Sequence, residues 1–159
     1  MTIAERETTT ARLAEGVVEY RLEGDGPRTV VIFHGGHMRA GLALGEEVFT
    51  ASGHRVLALS RPGYGRTPLT TATTPAAFAD LTARLCHEPG VERVAAAVGV
   101  SAGGRTALTM AARHPHLVER VILQSAVAFV PWPDRRTRLA GRLVFNARAE
   151  AITWRWYGC

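Results

Sequence analysis

The sequence predicts an α/β protein built on a mostly parallel, doubly wound sheet. Three observations predict it. Short apolar, β-branched runs alternate with helical segments, as βαβ units require. Most of those runs are apolar throughout rather than alternating, which marks strands covered on both faces. Two glycine-rich segments, His34-Gly35-Gly36-His37 and Gly99-Val100-Ser101-Ala102-Gly103-Gly104, fall just past the carboxyl ends of such runs. That edge is where these sheets collect functional residues.

The elements follow in order. Val17-Val18-Glu19-Tyr20-Arg21-Leu22 alternates and reads as a half-exposed strand, ended by Gly24-Asp25-Gly26-Pro27. Thr29-Val30-Val31-Ile32-Phe33 reads as a strand buried on both faces. Residues 41–51 read as a short helix and 55–59 as another buried strand. Arg61-Pro62-Gly63-Tyr64-Gly65-Arg66-Thr67-Pro68 can only be a loop. Thr74-Pro75 opens a helix, with threonine as cap and proline in its first turn; it runs to Cys86 and stops before Pro89-Gly90. Residues 93–99 form the next strand, 102–113 a helix, and 118–124 a further buried strand. There is no internal repeat and no long linker.

Composition narrows the function classes. A chain of 159 residues, 47% hydrophobic and 21% charged, is long enough for one core. No apolar run approaches the roughly 18 residues of a membrane span, and the start lacks a signal peptide's basic and apolar regions. The expected location is therefore cytoplasmic, with no membrane partner. Cys86 and Cys159 make no metal or redox spacing, so neither a metal nor another cofactor is expected. The net charge of +5 comes from arginine alone, and six of the 19 arginines lie beyond Pro131 against only Asp134 and Glu150. No aromatic-basic interleaving accompanies that charge, so it reads as a solvated helix face and no nucleic-acid partner is expected.

The chemistry concentrates at Ser101. Gly99-Val100-Ser101-Ala102-Gly103 is a G-x-S-x-G segment between an apolar strand and a helix, the setting of a nucleophile elbow. There the chain turns so sharply that glycines are needed at the flanking positions, here Gly99 and Gly103, and the serine is left exposed above the sheet.

With Phe33-His34-Gly35-Gly36, Arg61-Pro62-Gly63-Tyr64-Gly65-Arg66-Thr67 and Gly99-Val100-Ser101-Ala102-Gly103-Gly104 in that order, the chain resembles the α/β-hydrolase superfamily through Ala126. The resemblance implies that residues 1–126 are the N-terminal part of an α/β-hydrolase core whose sheet is incomplete at its C-terminal side. Residues 127–159 would be the start of a cap or lid, or an aberrant tail. It implies that Ser101 is the nucleophile, attacking an acyl carbon of a small-molecule ester, thioester, amide or activated carbon–carbon bond. The oxyanion would be met by the backbone N–H of Ala102 and by the loop at Gly36 and His37. Relatives that open epoxides or displace halide use aspartate at the elbow, so serine argues against those reactions. One departure is Ser60, where many relatives carry aspartate; no catalytic consequence attaches to it.

A serine hydroxyl needs a base, itself oriented by an acid, and in this family both follow the serine in the chain. No histidine follows His116. His114 and His116 lie roughly 20 Å from Ser101 along a helix. His54 is at the wrong sheet edge, His87 at a helix end, and His34 braces the glycine turn, which leaves His37 as the one histidine expected near Ser101. The expectation is a serine hydrolase sequence cut short before its acid and histidine, and inactive as this chain. Two alternatives stand beside it: a non-catalytic small-molecule-binding module, and one half of a hydrolase completed by another chain. A sheet ending near Val121-Ile122-Leu123 also leaves an open edge, from which self-association is expected.

Overall fold

The computed structural model of the chain describes residues 5–43, 45–129 and 134–144. They divide between two compact units, Met1–Ala128 and Phe129–Cys159. The first holds one sheet, made of β1 (Thr9–Leu13), β2 (Gly16–Glu23), β3 (Arg28–Phe33), β4 (His54–Leu59), β5 (Val94–Val100) and β6 (Val121–Gln124). Their spatial order is β1-β2-β4-β3-β5-β6. β1 and β2 form an antiparallel hairpin, β2 runs antiparallel to β4, and β4, β3, β5 and β6 are mutually parallel neighbours. The parallel strands are the continuous apolar runs, and the antiparallel hairpin is the alternating one.

Side chains of successive strand residues point to opposite faces, and the core divides accordingly. On one face Val31, Phe33, Leu57, Leu59 and Ala97 pack with Phe78, Leu81 and Leu85 of α2 (Pro75–His87) and Ala107 and Met110 of α3 (Gly104–Arg113). On the other face Val30, Ile32, Val56, Ala58 and Val98 pack with Phe49 of α1 (Glu47–Ala51). α2 starts as its residues require: the Thr74 hydroxyl accepts from Ala77 N–H at 3.1 Å, and Pro75 occupies the first turn, where its missing N–H costs nothing. Each fully buried leucine of this helix contributes about 1.5–3 kcal/mol relative to exposure.

Three expectations are corrected. The helix at residues 41–51 is confined to Glu47–Ala51, because Gly45 sits at φ +82°, outside the helical basin. β1 is an additional strand; Thr9-Thr10-Ala11-Arg12-Leu13 is a largely exposed outer strand and carries little apolar signal. The strand at 118–124 is buried only at its start. Val118 is 8% exposed and bridges Val94, but the continuous strand begins at Val121, it is the outermost on its side among the described residues, and Ile122 and Leu123 are 40% and 44% exposed.

In the second unit α4 (Arg135–Val144) starts at Asp134, whose Oδ1 accepts from Thr137 N–H at 2.8 Å. Residues 130–133 and 145–159 of the expected cap or tail, Cys159 among them, lie outside the described residues. Among the described residues no helix is long and apolar enough to cross a membrane.

Candidate active site

β5 ends at Val100, and the chain enters a 3₁₀ turn (Ser101–Gly103) that leads directly into α3. Ser101 occupies the left-handed region at φ +49°, uncommon for a residue with a side chain and strained by about 1–3 kcal/mol. Its surroundings hold it there: the Ser101 carbonyl accepts from Val127 N–H at 2.8 Å as the chain returns from β6. Gly99 and Gly103 do flank the turn, but not for their backbone angles. A Cβ on Gly103 would lie 1.9 Å from the Phe33 carbonyl oxygen, and one on Gly99 2.6 Å from Gly104 Cα. They are glycines so that the helix can close against the ends of β3 and β5.

The loop after β3 comes up beside the serine. Gly35 is buried against it, with space between them so small that a Cβ there would stand 3.0 Å from Ser101 Cβ. Gly36, Ser101 and His34 line one cavity of about 190 Å³, walled mainly by Ile32, Met38, Phe49, Val98 and Val100. Ala102 lies in the first turn of the helical segment that starts at Ser101, where a backbone N–H has no acceptor within the helix. His37 is exposed, sits at φ +61°, and does not line this cavity. The histidine placed in the Ser101 cavity is thus His34, not His37. His114 instead pairs with Asp80 at 2.8 Å, and His54 lies against Ser52 at 3.2 Å.

His34 is 3% exposed. Burial pushes its imidazole down to about 4, with the Arg21 and Arg61 guanidinium groups adding to the effect, so it is neutral near pH 7. Its Nε2 is 3.2 Å from Glu46 Oε1, off the line a hydrogen bond requires. Arg21 Nη2 reaches the same carboxylate at 3.4 Å, and Arg21 Nε donates to the Ala40 carbonyl at 2.8 Å.

A second buried network braces the loop after β4. Ser60 donates to Glu19 Oε2 at 2.6 Å and accepts from Ala40 N–H at 2.8 Å. Glu19 also accepts from Thr8 at 2.8 Å and from the Arg66 backbone at 3.0 Å and side chain at 2.9 Å. Burial alone would raise the Glu19 carboxyl; the hydrogen bonds from Ser60, Thr8 and Arg66 outweigh it and bring it down to about 2. Gly65 has two reasons to be glycine, a φ of +54° and a Cβ position 1.8 Å from Glu19 Oε2. Arg61 then turns back to donate from Nη2 to the Gly35 carbonyl at 2.9 Å. Sequence reasoning missed Glu19, Arg21, Glu46 and Arg61. No sequence signal singled them out: Glu19 and Arg21 alternate with apolar residues as on a half-exposed strand, and only the fold shows the two charges buried and paired.

The sheet order, the serine turn past β5 and the glycine loop past β3 together define an α/β hydrolase. The sequence profile described as the alpha/beta hydrolase fold matches residues 28–146, and the chain belongs to that family. It is 28% identical over 152 residues to the uncharacterized hydrolase YcgS of Bacillus subtilis, covering 94% of this chain and 52% of that protein. It is 29% identical over 147 residues to a 2-hydroxy-6-oxononadienedioate/2-hydroxy-6-oxononatrienedioate hydrolase of a Pseudomonas species, covering 86% of this chain and 52% of that enzyme. An alpha/beta hydrolase fold protein from Nakamurella multipartita superposes with a TM-score of 0.69 at 28% identity, over 92% of this chain and 50% of that one. The chain thus spans about half the length of these relatives.

Proposed function

We propose that Ser101 is the nucleophile of an acyl-transferring hydrolase acting on a small-molecule ester, thioester, amide or activated carbon–carbon bond. The observation that carries this reading is the strained left-handed Ser101 at the strand-to-helix turn, pressed against Gly35. In the proposed reaction the Oγ–H gives its proton to a base and Oγ bonds to the acyl carbon, whose carbonyl electrons move onto oxygen. The oxyanion lies before the backbone N–H groups of Ala102 and Gly36, with the His37 N–H next along the loop. Collapse expels the leaving group with a proton, and water then releases the acid and restores the serine. The apolar cavity of about 190 Å³ suits an acyl chain of a few carbons. Serine at this position supports acyl chemistry over epoxide opening, although the fold is shared with epoxide hydrolases.

Among the described residues, the histidine in the cavity is His34, which is buried beside Glu46. We therefore propose that the chain holds the nucleophile and oxyanion groups but no competent base among the described residues, and has little activity by itself. Residues 127–159 remain proposed as the start of a cap or a tail, and β6 as a surface for self-association. The test is p-nitrophenyl butyrate hydrolysis by the chain and by Ser101→Ala, with and without imidazole. The expected result is equal rates without imidazole and an excess for the parent chain with it, as the small base enters the cavity. Many Ser101-dependent turnovers without imidazole would contradict the missing base. No Ser101-dependent rate under either condition would contradict the nucleophile.

A further inference from the structure

We infer that Arg61 is the positioning residue of the oxyanion loop: it holds the Gly35–Gly36 peptide so that the Gly36 N–H faces the Ser101 cavity. This inference rests on the proposed serine chemistry and adds a residue to it. The Gly35 carbonyl accepts from Arg61 Nη2 at 2.9 Å. That carbonyl and the Gly36 N–H belong to one peptide unit, and no described peptide bond is cis. In a trans peptide the two groups point in opposite directions. Fixing the carbonyl toward Arg61 therefore aims the N–H away from it. Gly36 lines the cavity that contains Ser101, whereas Arg61 lines a separate cavity with Ala102 and Pro75. The Gly36 N–H donates to no group among the described residues, which leaves it available to a ligand oxygen.

Gly35 is packed against Ser101, but the Gly36 side of the peptide is open. A Cβ on Gly36 would meet nothing within 4 Å, so no packed side chain restrains the peptide from that side. Two consecutive glycines also leave the flanking dihedrals nearly unrestricted. A rotated peptide would turn the Gly35 carbonyl toward the cavity, placing the negative end of a dipole where negative charge develops. Arg61 thus decides whether this peptide attracts or repels the oxyanion. Its hydrogen bond is charge-assisted, stronger than a neutral one. The guanidinium is itself fixed, with its carbon 4.9 Å from the Tyr64 ring centroid in a cation–π contact. The Arg-Pro-Gly-Tyr loop and the His-Gly-Gly loop are in this way one device.

The experiment follows phosphonylation of the chain by an alkyl fluorophosphonate with imidazole as base, read by intact mass, and in parallel the Gly36 amide resonance of nitrogen-15-labelled protein. Arg61→Met keeps a stem over Tyr64 without a donor; Arg61→Gln keeps a polar group too short to reach Gly35. Both are expected to lose about tenfold or more in the second-order rate, part of what an oxyanion donor supplies. Both should also lose the downfield shift that the Gly36 proton shows in the phosphonylated parent. Arg61→Lys, which retains a donor, should recover part of the rate and of the shift. A brace of purely structural kind would lower the thermal midpoint without altering rate or shift. Rates and shifts equal to the parent's in a folded Arg61→Met or Arg61→Gln protein overturn the inference and leave the Ser101 reading intact. Absence of a Ser101 adduct in the parent overturns both.

Discussion

Ser101 and Glu19 show what single residues contribute here. Ser101 bears the backbone strain; Glu19 secures a loop that leads back to the same turn through Ser60 and Arg61. The turn at Ser101 was legible because an apolar run precedes Gly99 and a helical one follows Gly103. The reason for the two glycines was not legible, because only the fold reveals that Phe33 O and Gly104 Cα stand where their Cβ atoms would be. Glu19 yields a pH prediction. Its folded carboxyl titrates at about 2, below the ordinary 4.5, so its stabilising contribution is fully present above pH 4.5 and is lost as pH falls through 2. Glu19→Gln should therefore lower the thermal midpoint at neutral pH, with the gap to the parent narrowing as the pH falls from 4.5 to 2. A gap that stays constant over that range in thermal melts would contradict this account of Glu19.

Among the elements, those built from uninterrupted apolar runs were the legible ones. β3, β4 and β5 are buried on both faces, and their sequences have no polar alternation to confuse the period. α2 was legible from its cap. β1 was not, since an outer strand of a hairpin draws its stability from pairing with β2 and needs few apolar residues. β2 alternates, yet both its faces carry buried groups: Glu19 and Arg21 are 4% and 2% exposed, and their partners include Ser60 and Glu46, 41 and 25 residues away, besides the nearby Thr8 and Glu23. No local pattern distinguishes such charges from a solvated face. β6 has the most immediate consequence. Its outer edge has no strand partner among the described residues, and its apolar Ile122 and Leu123 are exposed. Such an edge invites pairing with another chain. Light scattering after size-exclusion chromatography should show the chain above monomer mass, and Leu123→Lys should shift it toward monomer. A monomeric parent chain would contradict the proposed association.

At the scale of the whole molecule, three loops past the ends of parallel strands meet at the proposed site. The turn after β5 presents Ser101, the loop after β3 presents Gly36, and the loop after β4 fixes that peptide through Arg61. This convergence was legible in part, because two glycine-rich segments fell past the ends of two apolar strands, while the Arg61 segment read only as a loop. The links between them were not, since Arg61 reaches across 26 residues to Gly35 and Ser60 across 41 to Glu19. Ser101 and the facing backbone N–H groups are proposed as a nucleophile and its oxyanion hole. A crystal structure of the chain treated with an alkyl fluorophosphonate and imidazole tests that proposal most directly. Phosphorus is expected on Ser101 Oγ, with the phosphoryl oxygen about 2.7–3.1 Å from the N–H groups of Ala102 and Gly36. Phosphorus on another residue, or a phosphoryl oxygen turned to solvent away from both groups, would contradict it.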